Sequence, residues 1–250
     1  MELTPLLFLK DGMTTSFCAY IWDWKNEKEL DLIELSQQLP QNEKKHLEDL
    51  RSSKRRLEYL TGRILLRTIL QKIFDLPYNI EIKKSKKGKP FIETGPEFNL
   101  SHSRGITFLG VSNDAPIGVD VEFQTEGRDV SGIAKYYGRS DELQYLESLG
   151  HKEQNEAFYK IWSLKESYSK AKGIGIDHSL QNIFFDLKNN KVFESNAEAS
   201  YQFYHIKRGQ SHFSVCCQDK KLKTSYLNKK LMSSLGSKNI NCGQFTFEAL

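Results

Sequence analysis

The spacing of apolar and polar residues changes several times along the chain, and each change marks an element. Ser16 to Trp24 alternates and then runs apolar, which predicts a strand; Glu27 to Leu39 recurs at three and four residues, which predicts an amphipathic helix stopped by Pro40. A short helix, Gln41 to Leu50, and a longer one, Ser53 to about Phe74, come next. Leu57, Leu60, Ile64, Leu65 and Ile69 give the longer helix a buried side. Beyond Pro77 the period becomes two. Strands are expected at Ile80 to Lys84, Phe98 to Ser101 and Ile106 to Ser112, and at Ile117 to Phe123 after the turn Asn113, Asp114, Ala115, Pro116. The order then repeats: Ser140 as N-cap of a helix Asp141 to Leu149, Gly150, a long helix Gln154 to Lys172 ending near Gly173, and strands at Asn182 to Leu187, Val192 to Glu194, Tyr201 to Lys207 and His212 to Gln218.

A helix pair followed by strands, met twice, predicts an α+β fold of two similar halves, each a small antiparallel sheet packed on helices. The halves are expected at residues 1–118 and 119–219, with a Lys- and Ser-rich tail of unassigned role at 220–250. At 250 residues with 38% hydrophobic content the chain can bury a core. Its apolar runs are too short to span a bilayer, and its first residues lack the pattern of a signal peptide, so a cytoplasmic protein is expected. Cys18, Cys216, Cys217 and Cys242 have no metal-site spacing and read as small apolar residues in a reducing compartment.

Charge is unevenly distributed. Residues 41–89 hold 14 Lys and Arg against 6 Asp and Glu, whereas residues 1–40 hold 3 against 7. A positive segment of this kind suits phosphates, nucleic acid or an acidic protein.

Three stretches carry candidate chemistry. In Ile117 to Phe123, alternation sets Val119, Val121 and Phe123 on one strand face and Asp120 and Glu122 on the other, so two carboxylates start about 6–7 Å apart. Like charges so placed are unfavourable unless solvated on a wet strand face or bridged, and a hard divalent cation is the natural bridge. The strand Phe98 to Ser101 runs into His102, where imidazole and hydroxyl could donate to a phosphate. Lys83 to Lys89 places five lysines in seven residues around Gly88, a cationic rim without the order of a P-loop. The long second helix adds a row of Phe158, Trp162, Glu166 and Lys170 beside an apolar stripe of Ala157, Ile161, Leu164, Tyr168 and Ala171. It therefore has a core side and a second, mixed side.

Taken in order, KKGKPFI, NLSHS, GVDVE and WSLKESYSKAKGIG, over about Asn42 to Gly175, resemble the 4′-phosphopantetheinyl transferases, in particular the larger pseudo-dimeric kind named after the surfactin-synthetase activator. The resemblance implies halves related by pseudo-twofold symmetry with the active site in the cleft between them. It implies transfer of the phosphopantetheine arm of coenzyme A to a serine of an acidic apo acyl or peptidyl carrier protein, with adenosine 3′,5′-bisphosphate released. By family position, Asp120, Glu122 and Glu166 would hold Mg²⁺, Glu166 would also take the serine proton, and Lys170 and His102 would stabilise phosphoryl oxygens. Lys44, Lys84, Lys89 and Ser101 match positions that grip coenzyme A, and Arg63 is set against its 3′-phosphate, with Arg55 and Arg56 as the alternatives. Glu166 and Lys170 are then two separate tools rather than a salt bridge. Two internal halves make a monomer sufficient.

Two other readings compete. A Mg²⁺-dependent phosphotransferase or nuclease acting on nucleic acid would need aromatics interleaved with the basic segment, and between Lys44 and Lys89 there are Tyr59, Phe74 and Tyr78 alone. A non-catalytic carrier-protein adaptor would be expected to have lost a metal carboxylate or Lys170.

Overall fold

The structure is a computed structural model that describes residues 4–11, 14–24, 32–86, 88–113, 115–189, 191–195, 197–198, 200–218 and 248–249. It is α+β, with small antiparallel sheets. The described residues up to Asn113 form one compact unit; those from Ala115 to Gln218, with Glu248–Ala249, form a second. The division falls before the strand Ile117–Phe123 and not within it at 118.

The first unit is a sheet of four strands, β1 (Thr4–Asp11), β2 (Thr14–Asp23), β5 (Glu97–Ser103) and β6 (Ile106–Ser112), in the order β1-β2-β6-β5. Helices α1 (Leu32–Gln37), α2 (Gln41–Asp49) and α3 (Ser53–Phe74) accompany it. The main core joins Leu60, Ile64, Leu65 and Ile69 of α3 to Tyr20, Trp22, Phe98, Leu109 and Val111 of the sheet. Leu57, expected inside, is half-buried. Ser52 caps α3 by accepting the Arg55 N–H, and Asp75 ends it with φ 52°. The N-terminal part of the expected helix Glu27 to Leu39 lies outside the described residues, as do Lys87 and Asp114.

The expected strand Ile80 to Lys84 shrinks to β3 (Lys83–Lys84), paired with β4 (Pro90–Phe91). The reason lies in α3. Arg67 donates to the carbonyls of Tyr78 and Ile80, so those acceptors serve a guanidinium instead of a neighbouring strand.

In the second unit the main sheet has the order β13-β11-β12-β7, from β7 (Ile117–Phe123), β11 (Gln202–Arg208), β12 (Ser211–Cys217) and β13 (Glu248–Ala249). A second sheet joins β8 (Ile183–Asp186), β9 (Lys191–Glu194) and β10 (Ala197–Glu198). Its helices are α4 (Val130–Tyr137), α5 (Ser140–Glu147) and α6 (His151–Lys172). α4 has no counterpart among the expected elements. At α5 the cap is Arg139, not Ser140: the Arg139 N–H donates to Glu142 Oε2 at 3.0 Å, and Ser140 is the first helical residue. α6 begins earlier than expected and closes on Gly173 with φ 66°.

α6 lies directly on β7. A Cβ at Gly118 would overlap the Ser167 carbonyl oxygen and the Ala171 backbone N, so only glycine lets helix and strand approach this closely. The face of β7 that carries Asp120 is consequently turned to the helix. Asp120 is 1% exposed, not set on a wet face.

Candidate active site

Asp120 and Glu122, two apart on β7, share a strand face, and Glu166 stands on α6 one turn beyond Trp162. Close approach at Gly118 brings the three together. One carboxylate oxygen from each lies within 4.8 Å of the others. Burial, then the Asp120 charge, pushes Glu166 up to about 8, and Glu122 moves up for the same reasons in the same order.

Lys170 departs from expectation. Its Nζ donates to Asp120 Oδ1 at 2.6 Å and lies 3.8 Å from Glu166 Oε2, so it does form a salt bridge, and to the strand more closely than to its helical neighbour. The cause is electrostatic: a partly buried cluster of three carboxylates draws the nearest ammonium. Burial alone would lower the Lys170 pKa, but Asp120 and Glu166 prevail and raise it.

Two further cations were not anticipated, Arg128 at the cluster and Lys165 away from it. Arg128 Nη1 donates to Glu122 Oε2 at 2.8 Å. Lys165, immediately before Glu166, is buried with its Nζ 2.9 Å from Glu142 Oε2 and donates to the carbonyls of Leu180 (2.8 Å) and Ile183 (2.6 Å). All three ammonium donors are thereby used, and Glu142 Oε1 accepts the Phe185 N–H at 3.0 Å. The signal for Lys165 was present: it falls one turn after Ile161, on the buried side of the helix, where a lysine must find an internal partner. For Arg128 the sequence offers only the first cation after the acidic strand.

In the first unit, Ser101 is buried near the end of β5, and the neighbouring His102 ring lies against α3 at Gly62, where a Cβ would come within 2.8 Å of His102 Nε2. Lys44 is half-buried on α2, Lys84 is exposed on β3, and Lys89 pairs with Glu97 at 3.2 Å. Arg63 is buried and ion-paired. It is 7% exposed, 3.3 Å from Glu43 Oε1, with its guanidinium carbon 5.2 Å from the Tyr59 ring centre. Arg67 is buried against Glu43 Oε2 at 2.8 Å. A buried glutamate therefore pairs with two of the arginines in the basic segment, while Arg55 and Arg56 stay exposed.

A profile described as "4′-phosphopantetheinyl transferase superfamily" matches residues 116–227, and one described as "4′-phosphopantetheinyl transferase, N-terminal" matches 22–113. The chain belongs to the 4′-phosphopantetheinyl transferase superfamily. Two profiles matching in succession agree with its larger type. It is 29% identical to 4′-phosphopantetheinyl transferase gsp of Aneurinibacillus migulanus over 63% of this chain and 67% of that protein. It is 36% identical to 4′-phosphopantetheinyl transferase psf-1 of Bacillus pumilus over 49% of this chain and 53% of that one. A Xenopus laevis relative, L-aminoadipate-semialdehyde dehydrogenase-phosphopantetheinyl transferase, is 27% identical over 61% and 59%. The similarity thus spans between about half and two thirds of these transferases. Among the described residues no helix is long and apolar enough to cross a membrane.

Proposed function

We propose that this protein transfers the 4′-phosphopantetheine group of coenzyme A to a serine of an apo acyl or peptidyl carrier protein, in a Mg²⁺-dependent reaction that releases adenosine 3′,5′-bisphosphate. The observation that carries the proposal is the convergence of Asp120, Glu122 and Glu166 beside Lys170, in a chain of this superfamily.

The donor set fits a hard divalent cation. It is all oxygen, from three carboxylates, of which Glu122 and Glu166 are raised first by burial and then by the Asp120 charge. Asp120, Glu122 and Glu166 would hold it, and when bound it would neutralise charge on the pyrophosphate. Glu166 Oε accepts the serine proton, a role that rests on family position. The serine oxygen bonds to the phosphorus bearing the pantetheine arm as the bond from that phosphorus to the adenosine bisphosphate oxygen breaks. Lys170 Nζ, held among the carboxylates, supplies positive charge to phosphoryl oxygens.

The first unit contributes coenzyme A contacts through Lys44, Lys84, Lys89, Ser101 and His102, a reading that rests on similarity. Arg63, with Arg55 and Arg56 as alternatives, is set against the 3′-phosphate on the same ground, its Nε lying 3.3 Å from Glu43 Oε1. Tyr59 is engaged with His46 and Arg63, and Tyr78 lies beside Arg67, which leaves the nucleic-acid alternative little to stack bases on. The test is formation of adenosine 3′,5′-bisphosphate from coenzyme A. Formation that requires both an apo carrier protein and Mg²⁺ is expected, and carrier-independent release would contradict the proposal.

A pH dependence follows from Glu166. Its pKa rises from 4.5 to about 8 on folding, so between those values the folded state holds the extra proton. Metal-free stability is therefore lost as pH rises through that window, and Mg²⁺ should restore it. The Mg²⁺-induced rise in unfolding temperature is expected to be larger at about pH 9 than at about pH 6. Equal shifts at both would remove Glu166 from the metal site.

A further inference from the structure

Arg128 stands apart from the residues that similarity assigns. It lies in the connection from β7 to α4, a segment fastened at several points. The Thr125 N–H donates to Tyr159 Oη at 3.1 Å, and the Thr125 hydroxyl is 3.0 Å from the same oxygen. Gly127 turns the chain at φ 80°, and Asp129 caps α4 by accepting the Gly132 N–H at 2.8 Å. Between these two anchors, the Arg128 guanidinium carbon lies 5.5 Å from the Tyr159 ring centre and 5.8 Å from that of Trp162. Both rings belong to α6, Trp162 one turn before Glu166, and both are buried. The arginine is thus seated by the same helix that carries Glu166.

From that seat, Arg128 Nη1 reaches Glu122 Oε2 at 2.8 Å, the length of a charge-assisted hydrogen bond. One oxygen of Glu122 is held, and the carboxylate keeps lone pairs on the other. Glutamate is a flexible side chain with about 1.5–2 kcal/mol of rotamer freedom to lose on being fixed. Asp120 is shorter and takes Lys170 at 2.6 Å, and Glu166 stands on a rigid helix; Glu122 is the member of the cluster whose direction most needs an external guide.

We propose that Arg128 is a positioning residue: by holding Glu122 Oε2 from a seat on Tyr159 and Trp162, it aims the carboxylate into the Asp120–Glu122–Glu166 cluster and so sets the affinity for a divalent cation. The inference rests on the metal-site reading above. The opposite role for the same contact would be a resident cation that the metal must displace. Arg128 is 29% exposed, so water screens its charge, whereas the directional bond to Glu122 persists; orientation is the larger effect.

The test is titration of the metal-free full chain with Mg²⁺ alone, by calorimetry, with no coenzyme A and no carrier protein. Arg128→Gln is expected to weaken Mg²⁺ binding by about 10–100-fold, the usual consequence of losing a partner that orients a metal ligand. Arg128→Lys keeps the charge without the planar fork and should also weaken it. In a Glu122→Ala background, Arg128→Gln should bring no further loss. Far-UV circular dichroism checks folding, and Arg128→Lys decides the matter should Arg128→Gln not fold. Unchanged or tighter binding in Arg128→Gln, with the wild type binding normally, overturns the positioning role. A wild type that does not bind Mg²⁺ overturns the metal-site reading beneath it.

Discussion

Glu166→Gln is expected to reduce transfer of phosphopantetheine to a carrier protein by at least about a thousandfold, and to do so without destabilising the metal-free protein. Two different consequences of one charge lead there. In function, the carboxylate would be both a metal ligand and the acceptor of the serine proton; an amide of the same size is a weaker, uncharged metal ligand and cannot take the proton. In stability, the charge is unfavourable: burial and Asp120 push Glu166 up to about 8, so its ionised form is what the folded state resists. Removing the charge relieves that resistance. Thermal unfolding of metal-free protein should show the variant at least as stable as wild type at pH 8 and above, and its Mg²⁺-induced stabilisation should be gone. Transfer within tenfold of wild type would dismiss Glu166 from both roles, and a large drop in metal-free stability would make it a structural residue.

The second large effect is structural. Gly118→Ala places a methyl group against the Ser167 carbonyl oxygen and the Ala171 backbone N, atoms of a helix that cannot rotate aside. β7 and α6 must separate, at a cost of about 3 kcal/mol or more. The unfolding temperature should fall by roughly 6–12 °C. Separation also draws Asp120 and Glu122 away from Glu166, so Mg²⁺ binding should weaken even in the protein that stays folded. Calorimetric titration with Mg²⁺ and thermal unfolding together check this. A variant as stable as wild type would mean that strand and helix are not in contact at Gly118.

These expectations show where sequence and structure part. The helices α2, α3 and α6 and the strands β6 and β7 were legible because their apolar periods are long and their ends carry ordinary signals: Ser52 before α3, Pro40 before α2, Gly173 after α6. β1 was missed because Leu6, Leu7, Phe8 and Leu9 form an unbroken apolar run after Pro5, with no alternation to read. α4 was missed because eight residues beginning with a β-branched Val130, and with Gly132 in the first turn, give a weak helical pattern that the Asp129 cap and the contacts of the folded unit complete. The expected tail at 220–250 lies, apart from Glu248–Ala249, outside the described residues.

The site was legible as motifs and not as pairings. Alternation put Asp120 and Glu122 on one face, and helical spacing put Glu166 and Lys170 one turn apart. Neither could show that Lys170 would choose Asp120, fifty positions away in sequence, at 2.6 Å. Nor could a charge count distinguish Arg63 and Arg67, absorbed by Glu43, from Arg55 and Arg56, which remain on the surface. Such partners are set by tertiary contacts between elements, which periodicity does not report.

The central claim is a group transfer, and the intact mass of the acceptor reads it directly. An apo carrier protein incubated with this protein, coenzyme A and Mg²⁺ should gain the mass of one phosphopantetheine group on its serine, with no gain when Glu166→Gln replaces the wild type. No gain in mass across apo acyl and peptidyl carrier proteins, with folded wild-type protein and Mg²⁺ present, would contradict the account.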